Sequence, residues 1–186
     1  LISIGTIGLI KGIDTYKINP KNTATLNNLA SVNFYREKYE DDFRAGMGAE
    51  AVKELLDCFL RTGIADSDRV YATGLSMGGM GVIDMALRWP DLFAAGQPMC
   101  GGASKVALQG FDGVTQFRFF HGTADDDVLF EYSADAVRIL QGKGVKAELV
   151  EYTGVGHACW DLAMAEPDFI SWMFSRKRSD SCLRLM

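Results

Sequence analysis

Residues 73–81 read TGLSMGGMG, one serine set among four glycines. Gly74-Leu75-Ser76-Met77-Gly78 fits the pattern G-x-S-x-G. The pattern has a mechanical reason. A serine on a sharp strand-to-helix turn takes a strained backbone, and its neighbours must be small so that strand and helix can approach. The hydroxyl then stands above the sheet. The backbone N–H of Met77 points at the same spot, at a helix N-terminus where negative charge is favoured. Context raises the pattern above chance. The β-like run RVYAT enters it, and a helical pattern over 78–89 leaves it and stops at Pro90. The plainer reading is a glycine-rich turn with a passive serine.

Working outward, residues 47–62 show helical spacing, with Val52, Leu55, Leu56, Phe59 and Leu60 on one stripe and Gly63 as the stop. LFAAGQPM, QFRFF and KAELVEY read as strands. Residues 100–114 read as loop with a short helix. Residues 131–142 read as a helix with Tyr132, Ala136, Val137 and Leu140 on one side. Ala158–Phe174 reads as helix, re-started at Pro167. Strands alternating with helices predict an α/β fold, a mostly parallel sheet covered on both faces. Chemistry in such sheets gathers just beyond the carboxyl ends of the strands.

A serine needs a base, and the chain has two histidines. His121 follows QFRFF, and His157 follows KAELVEY within YTGVGHACW. HGTADDDV supplies Asp125, Asp126 and Asp127 after the same strand as His121. The order Ser76, an aspartate near 125, His157 is the one expected of an α/β-hydrolase. With His121 as base the order would be Ser-His-Asp, so His121 is read as structural, a shaper of the aspartate turn.

The stretches DRVYATGLSMGGMGVIDMALRWPDLFAAGQPMCGG, FRFFHGTADDDV and YTGVGHACWDLAMAEPDFISWMF resemble the α/β-hydrolase superfamily. More narrowly they resemble the bacterial predicted-peptidase and polyhydroxybutyrate-depolymerase-like esterases, relatives of feruloyl and acetylxylan esterases. The resemblance covers residues 47–176. The family's H-G-x-x-D-x-x-V pattern runs here from His121 to Val128 and selects Asp125, with Asp126 as the fallback. Its G-x-G-H-x-x-W pattern falls on His157 and Trp160. The resemblance implies carboxylic-ester hydrolysis with no metal or organic cofactor. Ser76 is the implied nucleophile, His157 the base, Asp125 its orienting acid and the Met77 N–H an oxyanion donor. Trp160 is a candidate wall for an aromatic or sugar group, or equally a core anchor for the last helix. The implied substrate is a small-molecule or polysaccharide ester. A serine peptidase uses the same residues, and a non-catalytic remnant acting as a binding protein is the reading from another class.

One departure bears on that choice. Family members carry an early HGxG-type loop that supplies a second oxyanion donor, yet no histidine precedes Ser76. Either the chain is a fragment, or residues 1–46 are a divergent replacement. Loss of one such donor costs about 3–4 kcal/mol of transition-state stabilisation. In the resulting division, residues 1–46 are an unplaced N-terminal segment, in which LISIGTIGLI fits a strand, NPKNTATLNN is polar and turn-rich and FYREKYEDDFR reads as a solvated helix face or surface loop; 47–176 are the catalytic core and 177–186 a surface tail.

The 186 residues are 48% hydrophobic and 23% charged, with net charge −5. That balance suits one soluble globular domain, cytoplasmic or secreted, and argues against nucleic acid or an anionic membrane as partner. No apolar run reaches membrane-spanning length. Cys58, Cys100, Cys159 and Cys182 make no CxxC or zinc spacing, so they read as buried free thiols, with one disulfide as the alternative. Cys100 has no histidine assigned to it and is not read as a nucleophile. Neither 100–115 nor the stretch between Asp125 and His157 has room for a lid domain, which predicts an open cleft.

Overall fold

The computed structural model describes residues 4–11, 30–35, 42–63 and 65–182, with side chains described over 48–63 and 65–181. Its centre is a six-stranded sheet in the order β2-β1-β3-β4-β5-β6. The strands are β1 (Ile4–Lys11), β2 (Ala30–Tyr35), β3 (Val70–Leu75), β4 (Ala95–Met99), β5 (Gln116–Gly122) and β6 (Ala147–Tyr152). From β3 to β6 every pair is parallel. Helices connect them: α1 (Asp42–Arg61), α2 (Met77–Arg88), α3 (Lys105–Gln109), α4 (Phe130–Gly142), α5 (Trp160–Ala165), α6 (Phe169–Phe174) and α7 (Ser179–Cys182).

β3 and β4 read as near-continuous apolar runs because every one of their residues but Leu75 is buried. On one face Val52 and Leu56 of α1, Val82 and Ile83 of α2, and Val137 and Leu140 of α4 pack with Phe117 and Phe119 of β5. On the other, Trp172 and Met173 of α6 close over Tyr71 and Ala95, while Phe169 stacks on Phe120 at 5.5 Å. Among the described residues no helix is long and apolar enough to cross a membrane.

LISIGTIGLI does join the sheet as β1, antiparallel to both β2 and β3, and Ile7 lies opposite Gly74, so the start of β1 reaches the serine turn. NPKNTATLNN and the middle of FYREKYEDDFR lie outside the described residues. The stripe on α1 is narrower than its spacing implies: Ala49, Val52 and Leu56 are buried, whereas Leu55 and Phe59 are exposed, as is Tyr132 on α4. The terminal segment, read as a surface tail, is docked on the fold at Arg178 and Ser179. Ser179 at the start of α7 donates its N–H and hydroxyl to the Asp68 carboxylate at 2.7 and 2.6 Å, and Arg178 donates to the Asp91 carbonyl at 2.7 Å. The last helix divides into α5 and α6 at Glu166-Pro167, where Pro167 removes a backbone donor.

α2 lies so close to β4 that a Cβ on Gly96 would stand 3.0 Å from Val82 Cγ1 and 3.2 Å from the Phe117 ring. Gly96→Ala is expected to cost about 1–3 kcal/mol by overpacking. Val82→Ala opens the space, so a double-mutant cycle in urea should give a favourable coupling of about 0.5–3 kcal/mol.

Candidate active site

Ser76 sits between β3 and α2 with φ 53° and ψ −120°, a conformation a non-glycine residue holds only where its surroundings impose it. Those surroundings are glycines. A Cβ on Gly74 would fall 2.4 Å from the Gly78 carbonyl oxygen, and one on Gly101 would fall 2.6 Å from the backbone carbon of Gly79. The turn is further pinned by the Ser76 N–H donating to the Met99 carbonyl at 2.9 Å. Met77 opens α2, so its N–H is one of the first-turn donors that a helix leaves without a partner of its own.

Parallel register puts the ends of β4, β5 and β6 beside this turn: Leu75 faces Met99, Met99 faces Phe120, and Gly122 faces Tyr152. The loop after β5 presents Asp125 and the loop after β6 presents His157. Those two loops are fastened to each other. Thr123 N–H donates to the Tyr152 carbonyl at 3.0 Å, Ala124 N–H to the Val155 carbonyl at 2.9 Å, and Gly154 N–H to Thr123 Oγ1 at 2.9 Å. They cross where Gly122 has no side chain, since a Cβ there would meet the Val155 oxygen at 2.2 Å. Tyr152 also donates to Glu166 Oε1 at the end of α5, at 2.9 Å.

The result is one continuous line of hydrogen bonds. The Ser76 hydroxyl donates to His157 Nε2 at 2.8 Å, and His157 Nδ1 donates to Asp125 Oδ2 at 2.8 Å. Asp125 Oδ1 accepts the N–H groups of Asp127 and Val128 at 3.0 and 2.9 Å, an Asx-type turn. Asp126 and Asp127 are exposed, so the structure aims Asp125 alone of the three at His157. The Asp125 side chain has no exposed surface and His157 keeps 19%. Burial by itself would raise the Asp125 carboxyl, but the bond from His157 and the two backbone donors outweigh it and hold it below the usual aspartate range. Trp160 meets the His157 ring edge-on at 5.8 Å between centroids while also packing against the apolar cluster that includes Met99, Phe120, Cys159 and Phe169. It therefore both borders His157 and anchors α5.

The second histidine, read from sequence as structural, also touches the line: His121 Nε2 is 3.0 Å from Asp125 Oδ2. Cys100 and Cys159 are buried free thiols and Cys58 is an exposed one, contrary to its expected burial. Cys100 Sγ, an Asp125 oxygen and a His157 ring nitrogen lie within 4.8 Å of one another, the one donor set of this kind among the described residues. The aspartate and histidine atoms are already engaged in the bonds above, so the geometry gives no reason to assign a metal. A hydrogen bond with Cys159 and then burial push the Cys100 thiol up, away from a reactive thiolate.

Residues 28–112 match the prolyl oligopeptidase family. Along 89% of its length the chain is 30% identical to carboxylesterase SOBER1 of Arabidopsis thaliana, and it spans 78% of that protein. The chain belongs to the α/β-hydrolase carboxylesterases. Poly(3-hydroxyalkanoate) depolymerase C of Paucimonas lemoignei is 32% identical over half of this carboxylesterase chain, which spans 22% of the depolymerase. A crystal structure of a thermostable esterase superposes with a TM-score of 0.64 at 30% identity, covering 69% of this chain and 36% of that one.

The Asp125 environment fixes a pH effect. The folded protein binds the Asp125 proton less tightly than the unfolded chain does, so the unfolded state takes up protons first as pH falls through about 4. The stability contributed by ionised Asp125 is full above that range and lost below it. Asp125→Asn should flatten the acid limb of Tm against pH, as measured by circular dichroism, relative to the unsubstituted chain.

Proposed function

We propose that the chain hydrolyses carboxylic esters through a Ser76–His157–Asp125 triad and an acyl-enzyme intermediate. The observation that carries this reading is the unbroken line from the Ser76 hydroxyl through His157 to Asp125. In the first step Ser76 Oγ attacks the ester carbonyl carbon as His157 Nε2 takes its proton. Asp125 holds the imidazole with its proton on Nδ1 and stabilises the imidazolium that forms. The Met77 N–H faces the developing oxyanion from the start of α2. Collapse expels the alcohol, which leaves with the proton from His157. Water, deprotonated by His157, then attacks the acyl carbon, and Ser76 is released with its hydroxyl restored.

For the substrate we propose an ester of acetyl or feruloyl type carried on a polysaccharide or small soluble alcohol. The family resemblance of the sequence supports this. So does Trp160, whose ring borders His157 where an aromatic or sugar group would pack. The intervals that could have held a lid contain only α3 in one case and α4 with β6 in the other, in keeping with an open site. A second reading, peptide-bond hydrolysis, is favoured by the match of residues 28–112 to the prolyl oligopeptidase family. Esters and amides share a tetrahedral intermediate, so the same residues serve both.

Ser76→Ala should lower kcat/KM for p-nitrophenyl acetate by about 10³-fold or more while the fold is kept. A fluorophosphonate probe should label the unsubstituted chain at Ser76. Hydrolysis at an undiminished rate by the variant would remove Ser76 from the mechanism. Acetate, ferulate and aminoacyl-anilide substrates assayed side by side separate esterase from peptidase: greater turnover of the anilide would favour the second reading.

A further inference from the structure

His121 ends β5 fully buried, and its surroundings determine how many protons it holds. Nε2 lies 3.0 Å from Asp125 Oδ2 and 2.9 Å from the Val128 carbonyl oxygen. Nδ1 lies 2.7 Å from Ser133 Oγ on α4. Ser133 Oγ in turn lies 2.7 Å from the Gly101 carbonyl oxygen. A carboxylate and a carbonyl only accept, so Nε2 carries a proton; a bare lone pair there would face two oxygens. The Gly101 carbonyl also only accepts, so the single Ser133 proton goes to it. The Ser133 oxygen then offers Nδ1 nothing but lone pairs, and Nδ1 must carry a proton as well.

A neutral imidazole cannot meet this count. With its proton on Nδ1, it sets a lone pair against two oxygens. With its proton on Nε2, the Ser133 hydroxyl must turn to Nδ1 and leave the Gly101 carbonyl facing it at 2.7 Å with no proton between. Both arrangements strand buried polar groups; the doubly protonated ring strands none and gains a charge-assisted bond to Asp125. The negative group that faces it is the Asp125 carboxylate, since Asp126 and Asp127 are exposed. Phe130 covers the ring edge-on at 5.8 Å.

We propose that His121 is a positioning residue kept as a buried imidazolium, a second clamp on the Asp125 oxygen that His157 uses. Through Ser133 it also ties that aspartate to the Gly101 loop packed under the Ser76 turn. Its importance for turnover rests on the triad reading above; its proton count does not. The aspartate thus shares its charge between two rings.

Nitrogen–proton correlation NMR on the Ser76→Ala protein, which separates the count from catalysis, should find a proton on each ring nitrogen of His121 in neutral buffer. One protonated nitrogen in the folded protein overturns the proposal. In an otherwise unsubstituted chain, Ser133→Ala removes the acceptor for Nδ1. The same NMR measurement should then find a proton on Nε2 alone. Ser133→Thr, which retains the hydroxyl, should restore the proton on Nδ1. A proton on both ring nitrogens in folded Ser133→Ala protein also overturns the proposal. Retained hydrolysis by Ser76→Ala would sink the triad while leaving the NMR result to be judged alone.

Discussion

At the top of β3 two backbones touch where side chains would forbid it. Gly74 against Gly78 and Gly79 against Gly101 let the first turn of α2 settle directly on the ends of β3 and β4. That contact holds the unusual backbone of Ser76 at the start of α2. Any larger residue would push helix from strand and relax the turn. The strain at one serine is thus sustained by packing between glycines, and the remaining site is arranged around the point it defines.

The other two groups reach that point by parallel register and by loops tied to each other. Gly122 lets the β6–α5 loop cross over the end of β5, and three backbone-donated hydrogen bonds hold the crossing. His157 is therefore placed relative to Asp125 more firmly than either loop could manage alone. Asp125 in turn spends all its accepting capacity: two backbone donors on Oδ1, two imidazoles on Oδ2. A buried carboxylate so fully occupied stays ionised and cannot swing, which suits a group whose task is to orient another.

Much of this was legible in the sequence, for physical reasons that differ by region. The stretch from RVYAT to Pro90 was readable because strand, turn and helix each left their own marks: a β-branched and aromatic run, flanking glycines, then helical periodicity. KAELVEY was readable by alternation. The stripe on α1 was misjudged because spacing tells which residues share a face but not how wide a strip the neighbours cover; Leu55 and Phe59 stay exposed. β1 was hard to place because pairing partners far along the chain leave no local signature. His121 was assigned to structure on chain order, which says nothing of a bond across four residues to Asp125. The docking of α7 on Asp68 rests on one serine and one aspartate more than a hundred positions apart, and no periodicity announces it.

Among the described residues β6 is the last strand of the sheet, paired on one side to β5 and on the other to no strand. Its exposed Glu148 and Glu151 place charge along that rim, which discourages other chains from adding to it. His157 follows this outermost strand. Edge strands open locally at lower free energy than the sheet's interior. Such an excursion would carry the imidazole away while the aromatic core remained packed, so heat or denaturant should silence the site before spectroscopic signals from the interior register melting. The fastening of Tyr152 to Glu166 and of Gly154 to Thr123 bears on how soon that inactivation comes, apart from any contribution to global stability.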